Sequence, residues 1–220
     1  MGLGCQLLAL VGLVWMINLY NFMDGIDGLA GLEALCASAL GGLLLASSGL
    51  GGLGEAALVL AGACAGFLVW NWPPAKIFMG DVGSGFLGFV FGVLAIASAK
   101  ERSWLLWPWL ILLAVFIVDS IVTLVRRLIT GERWYEAHCS HAYQHAARRW
   151  GSHTKVTLTV AAINVAWLFV WPASGPLFAL AALTPLICVA FRYDAGRSTR
   201  ATEVAYHEAE ALVPAHRVAE

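Results

Sequence analysis

Residues 3–31 read LGCQLLALVGLVWMINLYNFMDGIDGLAG. From Leu3 to Leu19 there is no charge, and a helix that crosses a bilayer needs roughly 17–25 mostly apolar residues. At the end of this run stand Asn18, Asn21, Asp24 and Asp27, spaced by three, with Gly25 and Gly28 behind the aspartates. Residues i and i+3 are neighbours on a helix, so Asn18, Asn21 and Asp24 are expected on one polar face. The glycines allow backbone and ligand to approach closely. With no basic residue nearby, these groups suit a cation, a sugar or a nucleobase better than they suit structural pairing. An ordinary polar helix end is the plainer alternative.

The rest of the chain repeats the apolar pattern. Hydrophobic residues make up 60% and charged residues 12%, with a mean hydropathy of +0.77. A soluble domain carries about 25% charged residues. A chain of 220 residues cannot bury this much apolar surface internally, so the surplus is expected to face lipid. Seven runs qualify as spans: 3–19, 29–48, 56–72, 85–99, 104–125, 156–171 and 176–191. The expected fold is an all-α polytopic membrane protein of about seven transmembrane helices. Residues 1–191 form its membrane domain, with a polar loop at 126–155 and a tail at 192–220. The first basic residue is Lys76, so no secretory leader is read at the N-terminus. A net charge of −1 argues against nucleic acid as a partner. The five cysteines are scattered and suggest no disulfide framework.

Alternation of the spans puts 20–28, 73–84, 126–155 and 192–220 on one side. That side holds eleven of the thirteen Lys and Arg residues, leaving Lys100 and Arg102 on the other. The positive-inside rule makes the basic side cytoplasmic.

Two further polar clusters fall on that side. The first is NWPPAKIFMGDVGSG, residues 71–85. Pro73 and Pro74 end the third span, and Asp81 precedes the Gly83-Ser84-Gly85 turn that opens the fourth. A helix N-terminus with glycines offers free N–H groups to phosphate, and Asp81 could hold Mg²⁺ against it. A plain helix cap is the alternative for Asp81. The second is AHCSHAYQH, residues 137–145. Zinc held by His138, Cys139, His141 and His145 has suitable ligand types, but adjacent His138 and Cys139 diverge on a helix, and anion binding with nearby arginines is preferred. Asp119 is an acid within a span, read either as functional or as paired with a basic group.

N-x-x-N-F-M-D-G-I-D-G-L-A-G, P-P-A-K-I-F-M-G-D-V-G-S and A-H-x-S-H-A-Y-Q, in that order, resemble the polyprenyl-phosphate N-acetylhexosamine-1-phosphate transferases. The third motif is similar to the branch that starts O-antigen and related surface glycans. The resemblance covers about residues 18–160. It implies a multi-pass enzyme of the bacterial plasma membrane, with its active site cytoplasmic. Such an enzyme transfers N-acetylhexosamine 1-phosphate from a UDP-N-acetylhexosamine to undecaprenyl phosphate, releasing UMP, with Mg²⁺. Carried over by motif, Asp81 is the Mg²⁺ ligand and Asp24 an essential acid. Asp27, Asn71 and Phe78 line the nucleotide pocket, Asn18 and Asn21 support its loop, and His138 and His141 bind substrate phosphates. His153, outside the motif, is expected to matter little.

One departure matters. The family has an Asp-Asp motif and several more spans ahead of the first cluster, and this sequence contains no adjacent Asp pair. The chain therefore reads as the C-terminal part of a transferase, with a missing N-terminal segment or a homodimer as protein partner. The alternatives are an inactive fragment that binds UDP-sugar or lipid, and a polytopic transporter, although transporters bind near the midplane.

Overall fold

The computed structural model describes residues 2–132, 139–170 and 176–197. Four long apolar helices come first: α1 (Leu3–Phe22), α2 (Leu29–Ser47), α3 (Gly51–Asn71) and α4 (Gly80–Glu101). A short 3₁₀ turn (Ser103–Leu105) leads into α5 (Leu106–Leu112), followed by α6 (Ala114–Thr130), α7 (Ala142–Trp150), α8 (His153–Val170) and α9 (Pro176–Arg192). There is no strand among the described residues. The outward faces stay apolar: Leu3 and Leu8 on α1 and Val59 and Val69 on α3 are each more than 70% exposed. Such surface is compatible with lipid and not with water. The protein is an all-α polytopic membrane protein.

The expected number of spans needs correction. Four helices, α1 to α4, are long and apolar enough to cross a membrane, or five if α5 and α6 are counted as one broken span. The expected continuous span 104–125 bends by 74° between α5 and α6. Trp109 supplies the physical reason. Its indole lies against Gly41 of α2, and its Nε1 donates to Ser98 Oγ of α4 at 3.0 Å, holding α5 to those helices while α6 turns away. Seven is not the number that the described residues give, and α8 and α9 border residues 171–175, which lie outside them.

Small residues set the close pairings, as is usual for membrane helices. A Cβ on Gly54 of α3 would lie 2.9 Å from the Gly42 carbonyl oxygen of α2. Glu33 of α2, fully buried, is hydrogen-bonded by Asn164 of α8 and joins those two helices. The described parts of the loops expected on one side meet at one end of the bundle: Gly28 bonds Asn71, Ala75 bonds Asp27, Tyr143 bonds the Phe22 carbonyl, and Gly196 bonds the Ser140 carbonyl.

Candidate functional site

The α1–α2 turn, residues 23–28, is the floor of the site. Gly28 has φ of +76°, a conformation that side-chain-bearing residues rarely adopt. This turns its N–H onto Asn71 Oδ1 at 3.0 Å, while Asn71 Nδ2 donates to the Ile77 carbonyl at 2.9 Å. Asn71 is thus buried, and its amide links two loops through main-chain groups. Asp27 is bound from three sides. Its Oδ2 accepts from Ala75 N at 3.2 Å, its carbonyl accepts from Thr157 Oγ1 at 3.2 Å, and His153 Nδ1 lies 3.5 Å from Oδ2. His153, expected to be a bystander, is a wall of the site instead.

Asn21 Oδ1 accepts from Ser84 Oγ at 2.9 Å, docking the start of α4 on the end of α1. Asn18 is exposed and donates back to Val14 of its own helix at 3.1 Å. The expected shared polar face is therefore split: Asn21 joins the site and Asn18 does not. Phe78 is 76% exposed, outside the walls of the cleft described below.

Asp81, in the first turn of α4, is exposed, whereas Asp24 is half-buried. Burial, with the Asp81 charge as the second cause, raises the Asp24 carboxyl to about 7. Among the described residues neither carboxylate has a basic side chain within ion-pair distance. No group of three His, Cys, Asp or Glu close enough to cage a metal occurs among those residues. Mg²⁺ does not need one, because it is held by one or two carboxylates plus water and phosphate oxygens. Asp24 and Asp81, repelling each other without compensation, fit such an ion.

A pH dependence follows. An acid whose folded pKa is raised costs stability when ionised, so without metal the fold loses stability as pH rises from the unfolded value near 4 to about 7. A Mg²⁺ ion held by Asp24 would require the ionised form, so its affinity is expected to rise with pH through about 7. Calorimetric Mg²⁺ titration across that range checks this, and Asp24→Asn is expected to remove both the binding and its pH dependence. A flat affinity profile in the unsubstituted chain would contradict the assignment.

The third cluster is built from a distance. Asp119, on α6, accepts from Ala142 N at 2.9 Å and Tyr143 N at 3.0 Å, the first free N–H groups of α7. It also accepts from Thr123 Oγ1 at 3.1 Å and faces His141 Nδ1 at 3.3 Å. Asp119 therefore serves as a helix cap delivered by another helix. Its two sequence readings resolve as a partner of the histidine motif. His141, only 3% exposed, caps α7 together with Gln144, and its ring lies between Phe22 and Tyr143. His138 lies outside the described residues.

Tyr143 Oη donates to the Phe22 carbonyl at 3.0 Å, and its hydroxyl fills the place where a side chain on Gly25 would begin. Between these elements opens a cleft of about 650 Å³, walled by Asp27, Pro73, Cys139, Arg148 and His153 among others. Small-molecule sites commonly span about 300–1,000 Å³. Arg148 Nη2 donates to the Cys139 carbonyl at 2.8 Å, leaving further guanidinium donors for an anion. Sequence reading missed His153, Thr157, Gln144 and Arg148 individually. Their only signal was their place in or just after the third motif.

The helices and clustered carboxylates define a membrane protein with a polar, anion- and cation-compatible site at one end. Residues 1–99 match the sequence model of glycosyl transferase family 4. It is 39% identical over 103 residues to a phospho-N-acetylmuramoyl-pentapeptide-transferase of Moorella thermoacetica, covering 46% of this chain and 31% of that protein. It is 35% identical over 116 residues to a decaprenyl-phosphate N-acetylglucosaminephosphotransferase of Mycolicibacterium smegmatis, covering 47% and 29%. A phospho-N-acetylmuramoyl-pentapeptide-transferase of Streptomyces coelicolor is 49% identical over 82 residues, covering 37% and 22%. The matched stretch thus spans about a third or less of each relative.

Proposed function

We propose that this chain carries the catalytic core of a transferase that moves N-acetylhexosamine 1-phosphate from a UDP-sugar to undecaprenyl or a similar polyprenyl phosphate, releasing UMP. The observation that carries the reading is the uncompensated Asp24–Asp81 pair at the same membrane end as the cleft of about 650 Å³. The names of the relatives, all phosphotransferases, support it. In the reaction, an oxygen of the lipid phosphate attacks the phosphorus that bears the sugar. The bond from that phosphorus to UMP breaks, and UMP leaves with the electron pair.

Asp24 and Asp81 would hold Mg²⁺, which when bound would offset the repulsion between the two phosphate-bearing substrates. Arg148 and His153 face the diphosphate side of the cleft. Asp27 orients His153, and Asn71 and Asn21 keep the floor in register. Exposed Phe78 offers a ring to the nucleobase. Buried His141 steadies its loop, and His138 takes the phosphate-binding role that the resemblance implies. The basic residues around this end support a site on the cytoplasmic side of a bacterial membrane. Initiation of a surface glycan is the place we propose for the reaction.

The experiment is a radiolabelled UDP-N-acetylhexosamine assay on membranes. Membranes holding this chain alone are compared with membranes that also hold a segment with further spans and an Asp-Asp loop. Supplying that segment is expected to give Mg²⁺-dependent product and UMP. No product in that combination, with UDP-sugar still bound, would favour an inactive binding fragment.

A further inference from the structure

We propose that residues 193–197, just beyond α9, form a clasp in which Gly196 positions the Cys139–His141 loop. The chain here reverses tightly: Ala195 N donates to the Ala190 carbonyl at 3.0 Å, and Gly196 adopts φ of +76°. That conformation sends Gly196 N–H to the Ser140 carbonyl at 2.7 Å. Ser140 is buried, and it lies between Cys139, on the cleft wall, and His141. A buried carbonyl in a loop has no helix or strand partner, so a donor from elsewhere decides where the loop sits.

The clasp is itself gripped. Arg126 of α6 donates through Nη1 to the Ala195 carbonyl at 2.9 Å, and its guanidinium lies 5.0 Å from the Phe191 ring. Tyr193 packs edge-on against Trp150 at 5.9 Å, under the Arg149 guanidinium, also at 5.9 Å. The clasp thus contacts α6, α7 and the loop at once. Gly196 is required twice over. Its φ disfavours a side chain, and a Cβ there would lie 2.8 Å from the Thr123 carbonyl oxygen and 2.9 Å from Arg126 Cβ. Asp119 fixes the α7 side of the loop and Gly196 fixes the side that leads into it. Any effect on catalysis rests on the transferase reading; the positioning itself does not.

The test uses Cys139 as a reporter, with Cys5, Cys36 and Cys188 replaced by alanine. Burial raises the Cys139 thiol above its ordinary pKa, with Arg148 opposing, so labelling by a polar maleimide starts slow. Cys64, buried on α3, is kept as a monitor of global unfolding. Gly196→Ala is expected to speed Cys139 labelling about tenfold, the order of losing one buried hydrogen bond, while Cys64 stays protected. Tyr193→Ala is expected to act in the same direction, and Tyr193→Phe to restore the slow rate. Arg197→Ala, removing only an exposed pair with Asp194, is expected to leave it unchanged. If Gly196→Ala unfolds the whole protein, the Tyr193 pair decides. Unchanged Cys139 labelling in Tyr193→Ala and in a folded Gly196→Ala would overturn the clasp. In the assembled transferase, Gly196→Ala is expected to lower kcat with KM little changed. Faster labelling with unaltered kcat would uphold the clasp and remove the loop from the reaction.

Discussion

Asp81→Asn, in the proposed transferase, is expected to abolish UMP release while membrane insertion is unaffected. Asp81 is exposed in the first turn of α4, and its carboxylate has no hydrogen-bond or ion-pair partner among the described residues. The neighbouring bond from Ser84 Oγ goes to its backbone carbonyl, which asparagine retains. The substitution therefore costs the fold little and removes one of two charges that could hold a divalent cation. Loss of one such electrostatic group typically slows a reaction on the order of 100-fold or more. A second consequence is independent of turnover. The Asp81 charge is the second cause, after burial, of the raised Asp24 carboxyl, so Asp81→Asn lowers the Asp24 pKa from about 7. UMP release within a few-fold of the unsubstituted enzyme would remove Asp81 from the reaction.

Asp119→Ala is expected to be the most destabilising single substitution in the motif region. Four donors converge on this one carboxylate: two main-chain N–H groups at the start of α7, the Thr123 hydroxyl and the His141 ring. Alanine leaves the two buried N–H groups without an acceptor, and each such loss costs about 1–3 kcal/mol. A total of about 3 kcal/mol or more is expected. Asp119→Asn falls between, because its amide keeps one acceptor oxygen but turns a donor toward a neighbouring N–H. Thermal unfolding in detergent measures the difference, and hydrogen exchange along α7 locates it. An unchanged unfolding temperature together with unchanged α7 protection would show that water or another group caps this helix.

The helices α1 to α4 were legible because their cause is local. Each is a predominantly apolar run ended by proline, glycine or a polar cluster, and an apolar run of that length needs little beyond lipid to be stable. The grouping of the loops at one end was also legible, because alternating spans and eleven basic residues on one side leave few arrangements. The bend at Leu113 was not legible. It depends on Trp109 meeting Gly41 and Ser98, residues placed beside it only by packing. Asn18 and Asn21 show the same limit at one helix face. Both fit a polar stripe, but only Asn21 has Ser84 within reach.

By itself, then, the sequence determined the solvent, the main helices and which loops share one end, and it offered the candidates for the site: Asp24, Asp27 and Asp81 with a histidine motif to follow. Those properties depend on side-chain polarity and short-range periodicity, which are present in the chain before it folds. The tertiary structure alone decided that Asp119 caps α7, that His153 meets Asp27, that Asn71 binds main chain at both ends, and that Gly196 reaches Ser140. Except for the contact from Asn71 to Ile77, these pairings join residues 23 to 126 positions apart. Their geometry exists only after helix packing has excluded water and left each buried donor or acceptor a single partner to find.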